Sequence, residues 1–203
     1  MIIALLTIVA YLVGAIPFGL LVAGMKGVDI RQQGSGNIGA TNVLRVIGKG
    51  WGIFTLVLDA LKGFIPAFFF PMLGGDSVPE VYGVLFGFVA ILGHSFPVYL
   101  RFKGGKGVAT SAGMLLGVAP VAVGVGILVF IITVVLSRYV SLASILAAIA
   151  VGVTAWVEGD NAMIVKLTIT VMSLMIVWLH RANIQRLLNG TENRFGKKKE
   201  SSV

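Results

Sequence analysis

The stretch RFKGGKGVATSAGMLLGVAPVAVGVGILVFIITVVLSRY, residues 101–139, decides how this chain is folded. Its apolar part, 108–137, is thirty residues long and holds no charge. A membrane-crossing helix takes about 20 apolar residues, so this part is long for one crossing and short for two. Gly117 and Pro120 interrupt it, and proline both removes a backbone donor and clashes with the preceding turn. Its two flanks are basic: Arg101, Lys103 and Lys106 on one side, Arg138 on the other. Basic loops stay on the cytoplasmic side of a membrane. An even number of crossings is therefore required between 107 and 138. The spacing predicts two short helices, 108–118 and 120–137, turning near Ala119-Pro120. The competing reading, one tilted span over 108–137, gives six crossings and puts His180 on the opposite side from Lys106.

Working outward, four more stretches are long and apolar enough to cross: 2–24, 51–73, 81–100 and 162–179, with 140–157 nearly as long. None alternates with a period of two, so a barrel is excluded and helices are the remaining way to satisfy the backbone in lipid. The expected fold is an all-α integral membrane protein of seven helices, N-terminus outside and C-terminus cytoplasmic. Segments 25–50, 99–107, 138–139 and 180–203 hold fourteen of the sixteen Lys and Arg residues. Segments 74–80 and 158–161 hold no basic residue but carry Asp76, Glu80, Glu158 and Asp160. No Lys or Arg precedes the first apolar run and Lys26 follows it, the wrong polarity for a cleaved signal. Residues 1–195 read as one polytopic membrane domain, and 196–203 as a basic mobile tail.

Composition agrees. Of 203 residues 57% are hydrophobic and 12% charged, half the charged share of about 25% in a soluble domain, and the mean hydropathy is +0.99. A disordered chain, a coiled coil and an ordinary cytosolic enzyme are excluded. Cysteine is absent, which removes thiol nucleophiles, disulfides and Cys-ligated zinc. The predicted inner side holds only three acids, Asp29, Glu192 and Glu200, and the chain has two histidines. Magnesium-dependent phosphotransfer on a multi-Asp helix is therefore not expected. A metal-free and cofactor-free reaction on anionic substrates fits better.

Three basic, glycine-bearing clusters lie on that inner side. The first is Gly34-Ser35-Gly36-Asn37-Ile38-Gly39-Ala40-Thr41-Asn42, followed by Arg45. Gly34, Gly36 and Gly39 satisfy G-x-G-x-x-G, but that dinucleotide signature needs a strand and a βαβ unit. What survives is the physics: glycines bring amides close to an anion, Ser35, Asn37, Thr41 and Asn42 add neutral hydrogen-bonding groups, and Arg45 adds a fork suited to phosphate. The second is Gly104-Gly105-Lys106-Gly107, just before a helix expected at Val108. A glycine turn feeding a helix N-terminus presents free amides and a positive dipole end to an anion. The spacing is not that of a P-loop. The third is His180-Arg181-Ala182-Asn183, then Arg186, Asn189, Gly190 and Glu192. His180 and Asn183, three apart, share a helix face.

Blander readings cover the rest. Ser141 and Ser144 read as helix-packing serines, Asp59 and Lys62 as an i,i+3 ion pair, His94 as a packing histidine, and Lys166 as a snorkelling side chain. One competing function class is a transporter for an organic phosphate, since helices broken by Gly and Pro suit transport. Against it, the polar clusters sit on one rim, and only Asp59, Lys62 and Lys166 are charges within spans.

GSGNIGATN with Arg45, then FKGGKGVAT, then His180-x-x-Asn183 followed by RLLNGTE, in this order, resemble the three motifs of the bacterial acyl-phosphate:glycerol-3-phosphate acyltransferases, the PlsY family. The likeness spans residues 11–195. It implies a multi-pass enzyme of the bacterial inner membrane, with seven helices and a cytoplasmic active site. The implied reaction moves a fatty acyl group from acyl phosphate to glycerol 3-phosphate, giving lysophosphatidate and phosphate, without acyl-CoA or acyl carrier protein as direct donor. By motif, Ser35, Arg45, Lys106, His180 and Asn183 are expected to hold the glycerol phosphate and the reacting groups. Gly104, Gly105 and Gly107 are expected to form the donor's phosphate loop, and Ser144 matches a further site position. The expected partners are the two substrates and membrane lipid, with no metal and no nucleic acid, and the expected assembly is a monomer. Three groups are open as proton acceptor or nucleophile: His180 as base, Ser35 as an acylated nucleophile, or a phosphate oxygen of the donor. The third is favoured, because Ser35 has no local base, no clear carboxylate orients His180, and the family is described as substrate-assisted.

Overall fold

A computed structural model describes residues 1–159 and 161–196. The expected tail therefore lies, but for Gly196, outside the described residues, as does Asp160. The described residues fold into ten α-helices: α1 Ile2–Gly14, α2 Phe18–Gly24, α3 Ala40–Val46, α4 Lys49–Gly74, α5 Tyr82–Ser95, α6 Val108–Val118, α7 Pro120–Ser137, α8 Val140–Val157, α9 Met163–Leu179 and α10 Arg181–Leu188. The break at Ala119-Pro120 falls where the sequence places it. Ala119 leaves helical geometry (φ −151°, ψ 66°) and Pro120 occupies the first turn of α7, where its missing N–H is no loss.

Five segments are long and apolar enough to cross a membrane: Ile2–Gly24, Lys49–Ser77, Tyr82–Leu100, Pro120–Ser137 and Val140–Val157. Helix α9, which bends by 52° into α10, adds a sixth. Helix α6 has only 11 residues, about 16 Å at 1.5 Å per residue, roughly half of a 30 Å hydrocarbon core. It dives between α4 and α5, and α7 returns to the end of the bundle it left.

The crossing stretch 2–24 is interrupted at residues 15–17. Helix α1 ends at Gly14, and α2 starts at Phe18 with Pro17 at its N-cap. A broken helix leaves carbonyls without intrahelical partners, which lipid does not tolerate. Here Lys62 of α4 donates from Nζ to Ile16 O at 2.9 Å, so a buried ammonium caps the break.

Small residues set the helix spacing, since hydrophobic burial gives little drive for helices to associate in lipid and close packing must supply it. A Cβ on Gly63 would fall 2.0 Å from Thr110 O, and one on Gly113 would fall 1.8 Å from Ala60 O. Helices α4 and α6 thus touch backbone to backbone. Gly14 against Ala90 O (2.0 Å) and Gly93 against Tyr11 O (2.2 Å) do the same for α1 and α5. The interior holds Ile91, Met114, Leu115, Ile169, Met172 and Ile176. The outer faces of α4, α7 and α9 expose Phe69, Leu128 and Leu174, as a lipid-facing surface must.

Gly113→Val should lower the thermal unfolding midpoint of the detergent-solubilised protein by at least about 5 °C, since overpacking costs about 1–3 kcal/mol or more. Gly124→Val, where nothing lies within 4 Å of an added Cβ, should leave it within about 2 °C.

Candidate active site

Asn42 organises the first cluster. It is 1% exposed and lies in the first turn of a short helix, α3; just before that helix, Oδ1 of Asn37 accepts Gly39 N–H at 2.8 Å. The Asn42 amide nitrogen donates to Ile30 O (3.1 Å), Gln33 O (3.0 Å) and Asn37 O (2.9 Å), and its Oδ1 accepts Ser35 N–H at 2.9 Å. Gly34 and Gly36 have φ +62° and +71°, and a Cβ on Gly34 would fall 2.2 Å from Asn42 Oδ1. Asn42, Gly34 and Gly36 thus shape the loop, which presents Ser35, while α3 presents Thr41 and Arg45. Arg45 Nη1 reaches Asn42 Oδ1 at 3.4 Å, which leaves most of its fork unused. Burial pushes its guanidinium below the usual pKa, and the Glu192 carboxylate opposes that.

The second cluster differs from expectation in which amides are free. Gly104 N–H donates to Ser95 O (3.1 Å) and Gly105 N–H to His94 O (3.0 Å). These two amides pair with the last carbonyls of α5 and are not available to an anion. Added Cβ atoms would lie 2.1 Å from His94 O at Gly104 and 2.1 Å from His94 Nε2 at Gly105, so both glycines serve close approach to α5. Gly107, at φ +76°, starts α6, and the amides of Lys106 and Gly107 meet no backbone acceptor among the described residues. The unpaired backbone amides of this turn therefore begin at Lys106 rather than at Gly104.

The third cluster closes over the second. Lys106 Nζ donates to Asn183 Oδ1. Asn183 Nδ2 donates to Glu192 Oε1 at 2.9 Å, and Ser141 Oγ donates to the same oxygen at 3.0 Å. Arg186 Nε donates to Glu192 Oε2 at 2.7 Å. Burial pushes the Glu192 carboxyl up, but the hydrogen bonds from Asn183, Arg186 and Ser141 outweigh it and hold it below its usual value. Burial also lowers Lys106 to about 8, against the Glu192 charge. The sequence singled out Glu192 without a role and read Ser141 as packing. Their part in the site depends on the chain doubling back after α10, where Phe195 N–H donates to Arg138 O at 2.7 Å.

His180, 3% exposed, sits in the bend between α9 and α10. Its Nδ1 lies 2.8 Å from Ile176 O. A carbonyl only accepts, so Nδ1 carries the proton and Nε2 is the ring's acceptor. Burial, with the nearby Lys106 charge, lowers its pKa to about 4. The imidazole is neutral at pH 7.

Ser35, Asn37, Thr41, Asn42, Arg45, Lys106, Gly107, Ser144, His180 and Asn183 line one cavity of about 420 Å³. Gly34, Gly36, Gly104 and Gly105 support it from behind. Because Lys106 bonds Asn183, the second and third clusters share one end of the bundle. Below the polar rim the cavity continues between α4, α6, α7, α8 and α9 with Leu56, Leu115, Val123, Phe130, Ala147 and Met172 as walls. Ser144 Oγ donates to Val140 O at 2.9 Å, within that transition. Asp59 and His94, read from sequence as bystanders, also reach the lining.

A membrane bundle with cationic and amide donors at one end of an apolar groove is built for molecules that are phosphorylated at one end and lipid-like at the other. The comparisons with known proteins agree. The family model described as glycerol-3-phosphate acyltransferase matches residues 4–190. Glycerol-3-phosphate acyltransferases of Geotalea daltonii and Geobacter sulfurreducens are 47% and 49% identical over 190 and 191 residues, in each case 94% of this chain and 96% of the relative. A crystal structure of PlsY (YgiH), an integral membrane glycerol 3-phosphate acyltransferase in its glycerol 3-phosphate form, superposes with a TM-score of 0.88 at 43% identity, covering 96% of both chains. The lysophosphatidic acid form gives 0.85 at 42% identity, covering 96% of this chain and 95% of that one. The chain belongs to the glycerol-3-phosphate acyltransferase family, of the PlsY type.

Lys106 loses its charge as pH rises through about 8, so kcat/KM for acyl transfer should fall above that pH. Lys106→Arg keeps the charge and should move this limb up by at least about one pH unit. Initial-rate pH profiles from 6 to about 10 test both.

Proposed function

We propose that this protein transfers a fatty acyl group from acyl phosphate to glycerol 3-phosphate, releasing 1-acyl-glycerol 3-phosphate and inorganic phosphate, as a monomer at the cytoplasmic face of the bacterial inner membrane. This is the first acylation step of phospholipid synthesis. The observation that carries the reading is the meeting of Lys106 with Asn183 at the rim of a cavity that also holds Arg45 and His180 and is apolar below. Acyl phosphate has the matching form, a phosphate dianion joined through its acyl carbonyl to an alkyl chain. The orientation rests on the basic flanks of residues 25–50, 99–107 and 180–203, against the acidic 74–80 and 158–161.

The free amides at the start of α6 and the Lys106 ammonium receive the donor phosphate, and the chain lies along α7 and α8. Ser35, Thr41 and Arg45 face it from the first loop and α3 and receive glycerol 3-phosphate. The glycerol hydroxyl adds to the acyl carbonyl, the C–O bond to phosphate breaks, and the hydroxyl proton ends on the departing phosphate. Protein donors aimed at the forming oxyanion can lower the barrier by about 3 kcal/mol each. Positioning can remove roughly 7–11 kcal/mol. The phosphate expelled from the acyl carbonyl gains a negative charge as the C–O bond breaks and so takes the proton readily. His180, lowered to about 4 by burial and the Lys106 charge, is by contrast a poor base. Its Nε2 is suited to hold the hydroxyl by accepting a hydrogen bond, while the phosphate takes the proton. Ser35 has no base beside it, so no acyl-enzyme forms. The reading needs neither metal nor cofactor, because phosphate leaves readily without Lewis-acid help.

Purified protein in detergent should release phosphate from palmitoyl phosphate only when glycerol 3-phosphate is present, and should not turn over palmitoyl-CoA. Arg45→Ala and Lys106→Ala should each lower kcat/KM by about ten- to hundredfold, since hydrogen bonds to charged groups contribute about 1.5–3 kcal/mol. Wild-type kinetics in either would displace the phosphate assignment.

His180→Gln keeps an acceptor and should lower kcat by no more than about tenfold. A loss of about four decades at unchanged KM, or an acyl adduct trapped on Ser35, would transfer the proton or the acyl group to the protein.

A further inference from the structure

Three side chains inside the bundle carry charge or titrate and have no part in the chemistry above. Asp59 is 2% exposed, Lys62 3% and His94 7%. Ionised groups at membrane depth are unfavourable and are kept where they serve a structure or a pathway. Lys62 Nζ is 2.9 Å from Asp59 Oδ1 and donates to Ile16 O at 2.9 Å. His94 Nδ1 is 3.7 Å from the same Asp59 oxygen, a packing contact rather than a hydrogen bond. The other edge of the His94 ring lies against Gly105, where an added Cβ would be 2.1 Å from Nε2. The backbone of His94 and Ser95 accepts the amides of Gly105 and Gly104. A continuous path thus runs from the break in the first helix, through the ion pair, to the turn that carries Lys106.

We infer that Asp59, Lys62 and His94 form a positioning cluster that holds the Gly104–Gly107 turn, and with it Lys106 and the start of α6, at the depth and angle at which phosphate is received. The same cluster ties that turn to the first loop. Lys62 caps the break before α2, and a Cβ on Gly19 of α2 would fall 1.8 Å from Ile38 O of that loop. The two phosphate-receiving surfaces are therefore referenced to one buried ion pair, which fixes the distance between the substrates. None of the three residues touches a reacting atom in this assignment. The inference rests on the phosphate role of Lys106 proposed above.

The test uses the full chain in detergent, with hydrogen exchange and steady-state kinetics on Asp59→Asn, His94→Ala and the double variant His94→Ala/Gly105→Ala. In the single variants the Gly104 and Gly105 amides should exchange at least about tenfold faster, with α8 and α9 unchanged. KM for acyl phosphate should rise about tenfold or more with kcat within about threefold. In the double variant the methyl added at position 105 refills part of the space left by the ring, yet KM should stay raised. Unchanged exchange in the turn, or wild-type kinetics in the double variant, would overturn the inference and leave His94 as a space-filler. A lone buried charge can unfold a protein, so Asp59→Leu/Lys62→Met removes both charges together. Wild-type KM in that variant would also overturn it. Should the wild-type protein release no phosphate from acyl phosphate, the donor assignment fails, while the exchange comparison still decides the positioning role.

Discussion

The donation from Lys106 to Asn183 joins elements far apart in the chain, and the site is built around it. An ammonium at the edge of a lipid phase needs a partner that stabilises its charge without consuming it. A carboxylate would neutralise it and compete with phosphate. A carboxamide oxygen does neither, but an amide flips unless its nitrogen end is also held. Glu192 holds that end, and Arg186 and Ser141 hold Glu192. The negative charge thus sits one residue away from the cation and leaves Lys106 open toward the cavity.

Irregular backbone inside a membrane protein is tolerated where it lines a cavity or is buried in protein. This chain follows that rule at each interruption. The break at Ile16-Pro17 is capped by Lys62, the glycine turn is sealed against the end of α5 by two backbone hydrogen bonds, and the bend at His180 is tied by its ring to Ile176 O. Each interruption places a polar residue on the cavity or behind it. Between them, glycines bring α1 to α5 and α4 to α6 until backbones touch. The bundle is narrow there and opens between α6, α7 and α8, where the apolar groove begins.

The cavity's two halves follow from its two kinds of wall. Loops and helix ends supply amides, Arg45 and Lys106 at the rim, and mid-helix residues such as Leu115 and Phe130 supply the depth. A reactant that is ionic at one end and aliphatic at the other is oriented by this gradient alone. Only the fine placement of its carbonyl is left to specific contacts.

Much of this was legible in one dimension. Hydropathy marked the spans, and the matching basic flanks of 108–137 forced the turn at Ala119-Pro120, because charge crosses lipid at high energy wherever it lies in the sequence. The same rule put the three clusters on one side of the bundle. What the residue order did not reveal was how backbone donors and acceptors are paired. Gly104 and Gly105 look like free phosphate-binding amides until α5 brings its last carbonyls to them. Asn42 looks like a ligand until four loop atoms use its side chain. Glu192 and His94 have no adjacent residues that disclose a role, since their partners lie 6 to 51 residues away for Glu192 and on α4 for His94. Apolar burial and charge act on residue type and can be read from a string of letters. Hydrogen bonds and close contacts act over about 3 Å, and only the folded chain decides which atoms come that near.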